Sequence, residues 1–513
     1  MKSTGMESQQ VLRTEVVIVG AGPTGLSMAV QLLRYNIDFI ILEKNEKTTP
    51  LSKALVVQAR SLEIFQEIGL AEKAIKEGQI TTGLNMFYKS KLRAKVNINK
   101  LGEGLSQFPY ALSLEQSKTE TLLVDYLKEN NRTIRWKSEF KGYEQVDNRV
   151  IVSFNDETGQ ERKIEAQYPV GCDGASSMVR HKMGLELKGD TVPRMFYVAD
   201  VKLRSSVINK NELFMFLFKK GFIIFFPMEG EGHYRIVGIL PDADESKEYK
   251  FEDIEPSIKH QIGVSVDFEE LGWFSSYKVH SRKTDSFGNE RSYIAGDAAH
   301  IHTPAGGQGM NTGIQDVYNL AWKLAFVIKG ELNPEFLKTY SIERAENAKN
   351  LLETTDKLFD AMAGENGFWN FIRLNILPVI VHLVTQNPIA KKWIFPLISE
   401  TGIRYKENEL IIGSTIKKVK AGNRMPYFTF PQGDNIFDYL REPAFKLLFF
   451  GQNKQVELNT GKIKTVKHSF QYIPKALFGN HADFYILLRP DNHISYIGKD
   501  IRQCRDLFSR LNT

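Results

Sequence analysis

Residues Glu15–Lys44 read EVVIVGAGPTGLSMAVQLLRYNIDFIILEK. Val16 to Val19 form a continuous β-branched run, the pattern of a parallel strand buried on both faces. Gly20, Gly22 and Gly25 follow in G-x-G-x-x-G spacing, with Pro23 and Thr24 between them. A helix is predicted next, with Leu26, Ala29, Val30 and Leu33 on one side. A second apolar strand, Phe39 to Leu42, runs into Glu43 and Lys44. Strand, glycine turn, helix, second strand and acid stand in the register of a Rossmann βαβ unit. The glycines allow a tight turn and close approach of a pyrophosphate to the helix N-terminus, and the acid accepts hydrogen bonds from ribose hydroxyls. The motif alone does not separate NAD from FAD. Glu43 argues against a 2′-phosphorylated ribose at this place, because two anions would repel.

A second glycine-rich stretch, GDAAHIHTPAGGQGMNTGIQDVYNLAWKLA, spans Gly296 to Ala325. Its second half reads as an amphipathic helix, with Ile314, Val317, Ala321, Leu324 and Ile328 recurring at spacings of three and four. Its first half reads as an open loop feeding that helix. So much bare backbone suits the close approach of something flat or anionic. His300 and His302 beside Asp297 have ligand chemistry, but no second ligand cluster accompanies them, so no metal is expected. A third segment, YPVGCDGASSMVRHKMG from Tyr168 to Gly184, enters like a strand, turns at Asp173-Gly174 and reaches Arg180. Alone, Asp-Gly is a common turn.

With 513 residues the chain is too long for one ordinary core, so two or three domains are expected. Its 42% hydrophobic and 25% charged residues are those of a soluble globular protein. The net charge of +6 is spread along the chain, so no nucleic-acid partner is expected. Two cysteines, Cys172 and Cys504, exclude a disulfide framework and fit a reducing cytoplasm. The polar opening MKSTGMESQQVLRT lacks the apolar core of a secretory signal. The most apolar later run, Ile376 to Val384, is too short to span a bilayer, and no membrane partner is expected.

Taken together, the three motifs resemble the class A flavoprotein monooxygenases, the family of the para-hydroxybenzoate and phenol hydroxylases. The likeness covers nearly the whole chain and is closer to the longer members, which carry a thioredoxin-like C-terminal domain. It implies non-covalent FAD, with NAD(P)H as a transient co-substrate. It assigns Gly20, Gly22, Pro23, Thr24, Gly25, Glu43 and Lys44 to the ADP half of FAD. Gly296 and Asp297 would bind the ribityl side, and Pro304, Gly307, Gly309, Met310 and Asn311 would line the flavin edge. Asp173 and Arg180 match a motif linked to FAD and NAD(P)H, and Gln116 matches a glutamine that contacts FAD, although a helix cap reads equally well there. Relatives have Arg-Ala where this chain has Lys53-Ala54, and lysine lacks the planar bidentate contact of arginine. Arg60 matches the downstream part of that pattern; on its own it reads as a solvated helix residue.

The middle of the chain changes to alternating segments. ELFMFLFKKGFIIFFPMEGEGHYRIVGIL, Glu212 to Leu240, predicts antiparallel strands turning at Lys219–Gly221 and at Glu229-Gly230. Phe214, Phe216 and Phe218 share one face, and Leu213, Met215 and Leu217 the other. Such phenylalanines are most often core. In the resembled family this sheet roofs the substrate cavity, which makes Phe214, Phe216 and Phe225 the candidates for an aromatic substrate.

The resulting expectation is an α/β chain. Residues 14–76, 108–183 and 279–400 form a discontinuous Rossmann-like FAD- and NAD(P)H-binding domain, and 77–107 with 184–278 form an inserted antiparallel-sheet substrate domain. Residues 413–513 form a thioredoxin-like α/β domain without a C-x-x-C, and so a structural one, able to support a homodimer. The resemblance implies hydroxylation of a phenolic, polyketide or antibiotic-like molecule with O₂, through a flavin C(4a)-hydroperoxide. It singles out no catalytic acid or base. An FAD oxidase or dehydrogenase on the same fold, or a non-enzymatic flavin-binding protein, are the alternatives.

Overall fold

A computed structural model describes residues 11–49, 54–208, 211–240, 243–244, 247–303, 307–364, 366–452, 458 and 460–511. The chain is a mixed α/β fold of several sheets. Strand Val16–Val19 lies at the centre of a five-stranded parallel sheet, between Tyr168–Gly171 and Phe39–Leu42, with Tyr293–Ile294 and Ile134–Arg135 at the edges. Helix Pro23–Arg34 crosses this sheet at very short range. A Cβ on Gly25 would stand 1.9 Å from the carbonyl oxygen of Gly20. Helix Gly309–Ile328 packs on the same helix just as closely, since a Cβ on Gly313 would meet Thr24 Oγ1 at 2.4 Å.

An eight-stranded sheet follows the order His300–Ile301, Asp267–Lys283, Lys188–Arg204, His233–Leu240, Gly221–Pro227, Glu212–Phe218, Gly83–Tyr88, Lys91–Asn97. Pairing is antiparallel except between Glu212–Phe218 and Gly83–Tyr88. Strand alternation splits its apolar side chains into two cores. Phe214, Phe216, Phe225 and Tyr234 pack under helix Phe251–Ile262. Leu217, Phe222 and Ile224 turn to the other face, where Phe359 and Met362 of helix Lys338–Ala363 meet them.

The C-terminal unit is a four-stranded sheet ordered Thr465–Phe470, Phe445–Phe450, Phe484–Leu488, Ile494–Gly498, with helix Arg502–Leu511. The first pair is parallel and the other two antiparallel. Cys504 and Cys172 are both buried and unpaired. This unit shares one continuous apolar core with the parallel-sheet region, through Phe445 against Trp322 and Phe326.

One expectation is corrected here. Helix Gly309–Ile328 is not amphipathic in use, because every side chain from Met310 to Val327 is buried. Its polar side faces the C-terminal unit and helix Lys338–Ala363 instead of solvent. Lys323 Nζ donates to Glu343 at 2.9 Å, Asn319 Nδ2 to Glu343 at 2.7 Å, and Trp322 Nε1 to Asp491 at 3.3 Å. Arg489 bridges Glu343 and Asp491. Two buried cations thus face two buried anions, and the Glu343 carboxyl, although penalised by burial, is held near 2 by Arg489 and Lys323.

Candidate functional site

The C-terminal ends of strands Val16–Val19 and Phe39–Leu42 open into a cavity of about 910 Å³. That is near the top of the roughly 300–1,000 Å³ typical of small-molecule sites, and its position is where open parallel sheets bind ligands. At this end lie Gly20, Gly22, Pro23, Thr24, Glu43, Lys44 and Asp173. The Glu43 carboxylate accepts the backbone N–H of Ala21 at 2.7 Å and that of Asn45 at 3.0 Å, so it is set in place before any ligand arrives. The Asp173 Oδ2 atom accepts the N–H groups of Met178 and Val179 at the start of the following helix.

The other end of the cavity lies between the loop Gly307–Met310 and one face of the eight-stranded sheet. Register builds that face: Phe226 pairs with Arg235, Asp200 with both Arg235 and Trp273, and Val198 with Val237 and Ser275. Phe226, Arg235, Trp273, Val198, Val237 and Tyr277 all line the cavity. Arg235 is buried, held by Asp200 through two bonds of 2.6 Å, and donates to the Ala54 carbonyl at 3.3 Å. Its guanidinium carbon lies 5.6 Å from the Trp273 ring centre. Opposite, helix Gly309–Ile328 begins on the cavity wall, where Gln308, Gly309 and Met310 line it and Gln308 makes no side-chain cap, so the positive end of the helix dipole lies at the cavity. Burial holds the His302 imidazole down near 4 and pushes the Tyr277 phenol up to about 12, so both are neutral near pH 7.

Between the two ends, Gln116 lies on the wall. Its Oε1 accepts the Ala54 N–H at 3.2 Å and its Nε2 donates to Glu120 at 2.9 Å. Glu115, not Gln116, holds the N-cap position of helix Gln116–Glu129, and Gln116 lines the cavity. Burial, partly offset by the Gln116 bond, pushes the Glu120 carboxyl up to about 7.

Of the residues singled out from sequence, Gly20, Gly22, Pro23, Thr24, Glu43, Lys44, Ala54, Gln116, Asp173, Asp297, Gly307, Gly309 and Met310 line this one cavity. Lys53 and Pro304 lie outside the described residues. Gly25 and Gly296 stand one layer behind, where they let the backbone of the wall pack closely. Four expectations are corrected. Asn311 is buried, and its amide ties together Gln58, Val56 and Gly307. Arg180 donates to the carbonyls of Ala298 and Ala175, bracing two wall segments from behind. Arg60 is not solvated and is not on the cavity; it pairs with Glu63 and donates to the Asp491 carbonyl of the C-terminal unit. Phe214, Phe216 and Phe225 belong to the core on the far face of the sheet. The wall residue is Phe226, one position along.

Sequence reasoning missed Glu120, Arg235, Trp273 and Tyr277. Glu120 follows Gln116 by four residues on one helix face, a spacing that was available. The others require the pairing of four strands to be known. Glu400 was also missed. It lies under the first turns of helix Gly309–Ile328, accepting from Thr312 Oγ1 at 2.9 Å and from Gln315. Burial pushes its carboxyl up to about 8 from 4.5. The folded chain therefore keeps a proton that the unfolded chain has released, and stability falls as pH rises through this window. From about pH 7 to pH 8 the loss should reach up to about 1.4 kcal/mol. Glu400→Gln should flatten that slope in urea melts at the two pH values; an unchanged slope would assign the titration elsewhere.

The chain matches the model of the family described as "FAD binding domain" over residues 13–355. It is 28% identical over 494 residues to an uncharacterized aromatic compound monooxygenase of Bacillus subtilis, covering 95% of this chain and 94% of the relative. It is 33% identical over 360 residues to the 12-dehydrotetracycline 5-monooxygenase/anhydrotetracycline 6-monooxygenase of Streptomyces rimosus, covering 67% and 69%. The chain belongs to the class A flavoprotein monooxygenases. Among solved structures, the anhydrotetracycline hydroxylase OxyS from Streptomyces rimosus superimposes with a TM-score of 0.76 at 26% identity, covering 98% of this chain and 100% of that one.

The cavity of this flavoprotein monooxygenase fits the FAD that its family binds. A Cβ on Gly22 would meet no protein atom within 4 Å, so the space over that glycine is open on the ligand side. The uncapped helix start offers N–H donors to an anionic group. The Asp173 Oδ1 and His302 Nε2 atoms are buried and have no hydrogen-bond partner among the described residues, and both residues line the cavity. Glu43→Ala removes the carboxylate expected to accept from the ribose and should weaken FAD binding about ten- to a hundredfold, the worth of one charge-assisted hydrogen bond. Flavin fluorescence after dialysis measures this, with circular dichroism unchanged. Retention of FAD at the unsubstituted chain's affinity would move the adenosine end elsewhere.

Proposed function

We propose that this enzyme uses NAD(P)H and O₂ to hydroxylate a phenolic or polycyclic aromatic small molecule. One observation carries the reading. A single cavity joins the Glu43–Gly22 end to a wall of Phe226, Trp273, Tyr277, Val198 and Val237, with the uncapped helix start between them. When bound, FAD supplies the redox chemistry. The chain supplies everything else. Glu43 and the glycine turn hold the adenosine half, and the N–H groups of Gly309 and Met310 favour negative charge at the flavin's polar edge. The aromatic wall orients a flat substrate and excludes water. Arg235, fixed by Asp200, places a permanent cation beside that substrate and ties the sheet to Ala54. The likeness to tetracycline-directed relatives makes polycyclic polyketides the first compounds to try.

The same reading divides the chain into a discontinuous FAD unit, an inserted substrate sheet and a thioredoxin-like tail that is structural, in a cytoplasmic enzyme. The strand order of the tail and the burial of its lone Cys504 support a non-redox role.

A panel of phenols, quinones, rifamycins and tetracyclines should contain a compound that speeds NAD(P)H oxidation many-fold, and ¹⁸O₂ should leave one labelled atom in its product. If NAD(P)H is consumed equally fast without substrate and the product carries no label, the oxidase or dehydrogenase reading replaces this one.

A further inference from the structure

The segment from Gly367 to Ile398 is set apart by what its surface carries. It comprises a short helix Gly367–Phe371, a π-helical turn Ile372–Ile376, and the helices Leu377–Gln386 and Pro388–Ile398. Its inner side is firmly seated. Leu374, Leu377 and Val381 join the core beneath the eight-stranded sheet. The Phe395 ring fills the space over Gly102, where a Cβ would come within 2.2 Å of it. The Leu397 carbonyl accepts from Gln308 of the cavity loop at 3.1 Å. The outer side is apolar. Trp393 is 77% exposed, Ile389 69%, Phe368 64% and Leu383 61%, and this segment holds more than half of the large apolar side chains that the described residues expose. A protein that stays alone in water rarely exposes so many large apolar side chains on one short segment.

Charge identifies the occupant. No Asp or Glu occurs between Asn366 and Ile398, while Lys391 and Lys392 directly precede Trp393. We propose that this face is a membrane-docking surface that lies on an anionic lipid bilayer, with Trp393 at the headgroup level and the lysines on the phosphates. Apolar side chains beside lysines, with a tryptophan between them, are the composition of interfacial helices. Among the described residues no helix is long and apolar enough to cross a membrane, so the segment lies in the plane of the surface. A second copy of the chain fits less well, because a two-fold contact through this face brings the same lysines toward each other with no carboxylate on the segment to answer them. This surface runs against the expectation from sequence of no membrane partner, which rests on the run Ile376 to Val384 being too short to span a bilayer. It is independent of the reaction proposed above.

Flotation of the FAD-loaded full-length protein tests it. The protein should float with vesicles of phosphatidylglycerol and phosphatidylcholine in equal parts, float less with phosphatidylcholine alone, and be released by high salt. The double variant Ile389→Glu/Trp393→Glu should lose partitioning at least about tenfold, since two apolar contacts become anionic. Both positions are exposed, so its flavin absorbance and melting should match the unsubstituted protein, whatever the reaction proves to be. Absence of vesicle binding, or binding that the double variant retains, overturns the proposal. So does a dimer in sedimentation that the double variant dissolves without any vesicle binding, which would give the face to a second copy.

Discussion

Gly25→Ala should produce a chain that cannot seat helix Pro23–Arg34 on its sheet, whereas Gly22→Ala should fold and lose affinity for FAD. The two glycines sit three residues apart in one motif, and the structure gives them different neighbours. At Gly25 the added methyl would stand 1.9 Å from the Gly20 carbonyl oxygen, a backbone atom no rotamer can move. The helix must lift from the sheet, although residues Gly25 to Leu32 are all buried there. Overpacking of that kind costs about 3 kcal/mol or more. At Gly22 the methyl meets nothing of the protein, so the cost falls on the ligand that must approach the main chain. A loss of at least about tenfold in FAD affinity, roughly 1.4 kcal/mol, is expected there. Urea melts and flavin titration separate the two. A stable, yellow Gly25→Ala protein would show that the close approach of helix and strand is dispensable.

Glu343→Ala should be strongly destabilising although it leaves the cavity wall untouched. Glu343 accepts from the buried Lys323, Asn319 and Arg489 and from the half-buried Asn408. Without it, Arg489 keeps the Asp491 carboxylate, while Lys323, which burial already holds down near 8, loses the carboxylate that supports its charge. Breaking a buried pair in this way costs about 3–5 kcal/mol, although the intact set gains little over an apolar equivalent. Tryptophan fluorescence, to which Trp322 contributes through an indole that donates to Asp491, follows the unfolding. Its transition should move together with flavin release, since both sides of the network share one core. A loss under about 1 kcal/mol would show that water or a neighbouring group answers the charge.

How far the sequence could be read follows from how local each signal is. The glycine turn, Glu43 and Asp173 lie within a few residues of the strand ends that position them, and their spacing carried them onto the cavity. Phe226 failed to be recognised for a reason of parity. In a strand a one-residue error exchanges the two faces, and nothing in GFIIFFP says which face is roofed by helix Phe251–Ile262. Arg235 and Trp273 come together only when Lys188–Arg204 pairs with strands on both sides. The polar stripe Gln315, Asp316, Asn319, Lys323 looked like the solvated side of a helix. It is buried because partners arrive from positions 343 to 491, too distant in sequence for any period to reveal. Arg60 was misjudged on the same ground.

The crossing of those buried charges limits how such a chain can be recombined. Lys323 and Glu343 belong to helices that also support the cavity loop, whereas Arg489 and Asp491 come from the final sheet. A C-terminal unit borrowed from a relative fits this socket only if it presents the counterparts of Arg489 and Asp491 to Glu343 and Trp322. Without them it would strand charges in a dry seam. Shuffling between homologues therefore has its natural cut points elsewhere, and a transplanted tail must travel with residues 309–345 to remain electrically neutral at the joint. The tail is a matched half and not an interchangeable module.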